Sequence, residues 1–206
     1  DMAIIDYTKS LEFDKNNYYV LYLRSKAYFN QKKFIESEKD LSEAILKKSD
    51  YHDAVYLRSK VYQNLSKYSL ALNDLNRLIE ANYQTKDVLR DRANVYFQLK
   101  KYSETLKDYE NLINNLKEND LNVFFKMGQC YELIGNTDAA VKVYTKIINS
   151  NRNNEEALLK RAELYQKQNK IPFSISDYNR VITINPNNHQ AYTGRGKVYL
   201  NQKRYD

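Results

Sequence analysis

The chain has 206 residues, 42% hydrophobic and 29% charged, with only four Gly and two Pro. So few turn residues argue against a strand-rich fold with many hairpins, and no run approaches the roughly 20 apolar residues of a membrane-spanning helix. A single Cys130 excludes an internal disulfide, and the formal charge of +7 is a mild excess gathered towards the C-terminal end, where residues 155–206 hold nine basic and five acidic side chains.

Along the chain, the stretch YLRSKAYFNQKKF from Tyr22 returns as YLRSKVYQNLSKY from Tyr56, thirty-four residues later. Units counted from Tyr18, His52, Lys86, Leu121, Glu155 and His189 are spaced 34, 34, 35, 34 and 34 residues apart. Fixed-period self-similarity of this length marks a repeat architecture. The fourth place of each unit is large and apolar: Leu21, Val55, Leu89, Phe124, Leu158 and Tyr192. The eighth is small: Ser25, Ser59, Ala93, Gly128, Ala162 and Gly196. Every eleventh place is Tyr, from Tyr28 to Tyr199. The later part of each unit repeats a small residue (Ser37, Ala71, Thr105, Ala140, Ser174), with Leu41, Leu75, Tyr109, Tyr144 or Tyr178 four residues beyond it.

Spacings of three and four put these residues on one face of a helix. A polar break such as QKK, LSK, LKK or IGN divides each unit, so each is expected to be two amphipathic helices and a short turn. The small residue admits a neighbouring helix backbone, and stacking on the next unit covers an apolar face that one pair cannot bury alone.

The seventh place holds Arg24, Arg58, Arg92, Arg161 and Arg195, on the packed side, where a charge needs a partner. Sixteen residues on stand Asp40, Asp74, Asp108 and Asp177, whereas the fourth unit has Met127 and Val143 at the two places. The paired exchange predicts an Arg–Asp ion pair inside each unit that holds both residues. Nothing predicts catalysis. The two His both open a repeat, Cys130 sits beside a core Tyr, and no phosphate loop, metal-ligand spacing or Ser-His-Asp order occurs. We expect no enzyme activity, no cofactor and no metal.

The period, the two-helix unit and the order large, small, Tyr, small, aromatic resemble the tetratricopeptide repeat. The family's Trp at the fourth place is missing, and its closing Pro survives only as Pro186. The resemblance covers the whole chain and implies an all-α, right-handed superhelical solenoid of antiparallel helix pairs. In its register, 1–17 is the second helix of a partial repeat, with Ala3, Tyr7 and Ser10 in place. Full repeats span 18–51, 52–85, 86–120, 121–154 and 155–188, and 189–206 is again partial. Both ends fall mid-unit, as in a piece of a longer array.

The resemblance further implies a protein–protein interaction scaffold that holds a partner peptide or helix in a concave groove lined by the first helices. Its groove places fall on Tyr19, Tyr22, Lys26 and Phe29, on Tyr56, Lys60 and Asn64, on Arg90, Asn94, Phe97 and Gln98, on Phe125, Lys126 and Gln129, and on Lys160 and Lys167. Of these, Tyr22, Lys26, Tyr56, Lys60, Arg90, Asn94, Phe125, Lys126 and Lys160 are the expected peptide-binding residues. Their rings offer contact area and their cations suit a partner of acidic character. Two alternatives are a co-chaperone module for acidic C-terminal tails and nucleic-acid binding by the basic C-terminal repeats. The family's tail-binding set is matched outright only by Asn94, with charge alone kept at Arg90 and Lys160 and Glu156 opposed to a carboxylate. Nucleic acid is disfavoured because Arg161 and Arg195 are assigned to internal pairs. No membrane association is expected, and the lone thiol favours the cytoplasm.

Overall fold

The computed structural model describes residues 2–83, 85–117 and 119–202, all as helices and connections, with no strand among the described residues. After α1 (Met2–Phe13) come α2 (Tyr18–Asn30) with α3 (Phe34–Lys47), α4 (His52–Asn64) with α5 (Tyr68–Glu80), and α6 (Lys86–Gln98) with α7 (Tyr102–Asn114). Then follow α8 (Leu121–Leu133) with α9 (Thr137–Ser150), α10 (Glu155–Lys167) with α11 (Ile171–Ile184), and α12 (His189–Asn201). Asp1, at the head of the 1–17 partial repeat, and 203–206, at the tail of the 189–206 repeat, lie outside the described residues.

The chain forms two compact units, one holding α1 to α7 and the other α8 to α12. Within each, helices pack on their neighbours in the chain; in addition α2 touches α4, and α10 touches α12. Each unit is thus an all-α stack of helix hairpins, the packing of a helical repeat solenoid.

The turn inside every pair is three residues long and built alike. Its second residue is left-handed: Lys32 (φ 60°), Ser66 (φ 56°), Lys100 (φ 59°), Gly135 (φ 78°) and Asn169 (φ 57°). The next N–H (Lys33, Lys67, Lys101, Asn136, Lys170) then reaches back to the carbonyl of the eleventh-place Tyr at 2.8–2.9 Å. This closure satisfies a helix-end carbonyl and reverses the chain. Most first helices are capped by side chains, with Asn17, Thr85, Asp120, Asn154 and Asn188 accepting from backbone N–H groups of the first turn.

Leu41, Leu75, Tyr109, Tyr144 and Tyr178 form the middle of the packing, at most 1% exposed, against buried fourth-place residues from Leu21 to Leu158. Ser37 and Ser174 donate to the carbonyls of Ser25 and Ala162 at 2.9 and 2.8 Å, which requires the close helix approach that the small eighth place allows. At Gly128 a Cβ would lie 2.6 Å from the Tyr144 ring. The sixth unit departs from the pattern. A Cβ on Gly196 would meet nothing within 4 Å among the described residues, and Tyr192 is 46% exposed.

The expected ion pairs form in all four units that hold both residues. Arg24, Arg58, Arg92 and Arg161 each donate through Nε and Nη2 to both oxygens of Asp40, Asp74, Asp108 and Asp177, at 2.6–2.8 Å. Each guanidinium also lies 5.6–5.9 Å from the ring of the eleventh-place Tyr, one turn further on. The free Nη1 bonds backwards to the preceding second helix, reaching Thr8, Ser42, Asn76 and Thr145 at 3.0–3.3 Å. A single Arg therefore joins its own hairpin and fastens it to the hairpin before. Burial opposes the charge on Arg58, and the Asp74 bonds more than offset it, raising its pKa.

Candidate functional site

In the first unit, the outward faces of α2, α4 and α6 bring together aromatic and charged side chains. Tyr56 is half-buried, and its hydroxyl donates to Asp91 Oδ2 at 2.9 Å across from α4 to α6. Lys60 Nζ sits 4.4 Å above the Tyr56 ring. Burial pushes the Tyr56 pKa up, with the Asp91 charge and hydrogen bond adding to it. Burial also raises the Asp91 carboxyl, against the Tyr56 bond and the Lys60 charge. Beside this group lies a cleft of about 160 Å³, lined by Phe29, Lys60, Gln63, Asn64 and Asp91.

Tyr22 and Lys26 occupy the neighbouring α2. Tyr22 packs edge-on against Tyr51, with centroids 5.1 Å apart, and Lys26 is exposed. Tyr83 donates to Asp53 Oδ1 at 2.8 Å, so Tyr22, Tyr51 and Tyr83 all feel the Asp53 carboxylate. On α6, Arg90 Nη1 donates to Asp87 at 2.8 Å. Asn94 Oδ1 accepts from the Tyr109 hydroxyl at 2.9 Å, which ties this expected contact residue to the core.

In the second unit, Phe125 stacks edge-on with Tyr144 at 5.4 Å and Lys126 is half-buried beside it in the chain. The Tyr144 hydroxyl donates to Glu132 at 2.5 Å. Lys160 lies 3.9 Å from Glu163 on the next turn of α10. Buried Cys130 has its thiol pushed up to about 11 by desolvation, against the pull of Lys126, and is a core thiol.

Of the residues expected from sequence, Tyr56 and Lys60 come into direct contact. Tyr22, Arg90, Asn94, Phe125 and Lys160 are each engaged by a side chain that the expectation did not name. Asp91 was missed as a site residue, although its sixth place in the unit is the one that selected Lys126 and Lys160. Tyr51 and Tyr178 were also missed. Tyr51 closes a unit and Tyr178 belongs to a core column, so neither falls on a groove place. No group of three or more His, Cys, Asp and Glu among the described residues could hold a metal. No helix among them is long and apolar enough to cross a membrane.

Two family models match, both described as tetratricopeptide repeat, over residues 56–113 and 122–154. The chain carries tetratricopeptide repeats. Solved structures share its fold at low identity. YrrB, described as a TPR protein with an unusual peptide-binding site, is 17% identical with a TM-score of 0.78, over 92% of this chain and 97% of YrrB. A tetratricopeptide repeat protein from Parabacteroides merdae is 20% identical with a TM-score of 0.75, over 91% and 74% of the two chains. MamA is 12% identical with a TM-score of 0.69, over 78% and 93%. Comparison with curated protein sequences finds no match.

Proposed function

We propose that the protein is a non-catalytic protein–protein interaction scaffold that holds a partner segment along its first helices. Tyr22, Lys26, Tyr56, Lys60, Arg90 and Asn94 contribute contacts in the first unit, and Phe125, Lys126 and Lys160 in the second. The observation that carries this reading is the Tyr56–Lys60–Asp91 group, a half-buried ring with a cation on its face and a carboxylate on its hydroxyl, beside a cleft. Such a ring gives contact area at small entropic cost, and the lysines favour a partner segment with acidic side chains. A stack of hairpins suits the task because its surface is long and pre-formed. The unpaired Cys130 fits a reducing, cytoplasmic setting.

The test is a lysate pull-down with wild type and with Tyr56→Ala plus Lys60→Glu, both shown to be folded by circular dichroism. The double variant should lose most captured partners. Retention of all of them refutes binding along this face.

A further inference from the structure

The second unit carries a recess larger than the one beside Tyr56. Between α10 and α12 lies a cleft of about 690 Å³, with Glu163, Lys167, Tyr178, Thr193, Gly194 and Lys197 around it. One residue opens it towards the core. The sixth place of the earlier units holds Leu23, Leu57, Asp91, Lys126 and Lys160, but here it is Gly194. A Cβ at Gly194 would stand 2.4 Å from the Tyr178 ring and 2.6 Å from its hydroxyl oxygen, so the absence of a side chain lets Tyr178 rise to the cleft.

Tyr178 is 1% exposed, yet its hydroxyl makes no hydrogen bond among the described residues. The two Tyr at the same place in earlier units are both satisfied, Tyr109 by Asn94 and Tyr144 by Glu132. Its oxygen is not fully enclosed and opens on the cleft, where an incoming acceptor can take the place of water. Burial, and secondarily the Glu163 charge, push the Tyr178 pKa up to about 12, so at neutral pH the group is a donor. Lys167 and Lys197 are exposed at the same cleft and form no ion pair among the described residues, while Glu163 lies 3.9 Å from Lys160. Donors therefore converge here, with two free cations against one carboxylate that already faces a lysine.

We propose that this cleft takes the carboxylate of an Asp or Glu side chain from a bound partner segment, hydrogen-bonded by Tyr178 Oη and flanked by Lys167 and Lys197. The proposal rests on the scaffold reading and adds the chemistry of one contact.

The probe is a pair of capped peptides, Ala-Leu-Glu-Leu-Ala and its Gln counterpart, titrated into the isotope-labelled whole chain while backbone amide resonances are followed. The Glu peptide should shift Thr193, Gly194 and Lys197 and bind about tenfold more tightly than the Gln peptide, the scale of a charge-assisted hydrogen bond. Tyr178→Phe should erase most of that preference, and Lys197→Gln should reduce it and its salt dependence. The Lys197 variant, on an exposed position, keeps the test sound should Tyr178→Phe unfold. Equal binding of the two peptides, or a preference untouched by both variants, overturns the proposal. Shifts confined to Tyr56, Lys60 and their neighbours also overturn it while leaving the scaffold reading intact. Absence of shifts with either peptide overturns it too, and the pull-down then decides the scaffold reading separately.

Discussion

Replacing Arg58 by Met leaves Asp74, only 4% exposed, without the cation that meets both its oxygens. Breaking a buried pair by removing one partner costs about 3–5 kcal/mol, because the remaining charge stays out of water. The Arg58 side chain keeps 17% of its exposure, so some water reaches the site and the loss should fall near the lower limit, about 3 kcal/mol. Asp74→Val alone should also destabilise, since it strands the guanidinium. The double change Arg58→Met with Asp74→Val recreates the arrangement the fourth unit already has, where Met127 is buried and Val143 half-buried. Apolar replacement of a whole buried pair is often close to neutral. The double variant should therefore recover much of the loss, short of wild type by what the Ser42 bond and the Tyr62 ring contributed. Urea unfolding of the four proteins, followed by circular dichroism and by tyrosine fluorescence, closes the cycle; two probes are needed because stacked hairpins can unfold in parts. A coupling of about 2 kcal/mol or more is expected, and additive single effects would refute the pairing argument.

Lys100→Gly should stabilise the chain by about 0.5–1 kcal/mol, because the left-handed backbone at φ 59° strains a side-chain-bearing residue more than the flexible unfolded chain gains from glycine; its melting temperature checks this. Gly128→Ala should destabilise by about 1–3 kcal/mol, its Cβ meeting the buried Tyr144 ring at 2.6 Å, and its melting temperature checks this. Burial raises the Asp91 pKa above the ordinary 3.8, so the folded chain holds that proton more tightly than the unfolded one and the charged form costs stability at neutral pH. Asp91→Asn, which can still accept from Tyr56, should accordingly melt higher than wild type at pH 7, with the gap closing as pH falls through the raised value towards 3.8; a pH-independent gap would refute it.

The helix pairs were legible because the same constraint is written repeatedly: an apolar fourth place, a small eighth place and a Tyr at the eleventh satisfy one packing problem in each unit. The Arg–Asp pair was legible for a different reason, the joint exchange to Met127 and Val143. Its backward bond was not, because Thr8, Ser42, Asn76 and Thr145 share only an acceptor oxygen. The candidate site was less legible still. Groove places locate a face, but they cannot say that Asn94 is held by Tyr109 or that Phe125 leans on Tyr144, since both contacts cross to a second helix. Tyr178 was hidden by its own column. In a core position a Tyr looks like a Leu until its hydroxyl is asked for a partner.

The ion pairs change what the basic charge means. An Arg at the seventh place of five units looks like a cationic row facing any anion, yet four of the five are locked to both oxygens of an Asp and stacked on a Tyr. Those forks, the side chains best shaped for phosphate or carboxylate, are spent on holding hairpins together. Arg161 in particular binds Asp177 and Thr145, which removes a cation from the C-terminal repeats where a nucleic acid would need it. On the scaffold reading, what remains for a partner on the first helices is largely lysine: Lys26 and Lys60 in one unit, Lys160, Lys167 and Lys197 in the other. A lysine is a point charge on a flexible stem, so it selects the sign of a partner more than its geometry. On that reading, shape selection falls to rings and clefts, Tyr56 with its neighbouring recess in the first unit and the Gly194 opening over Tyr178 in the second.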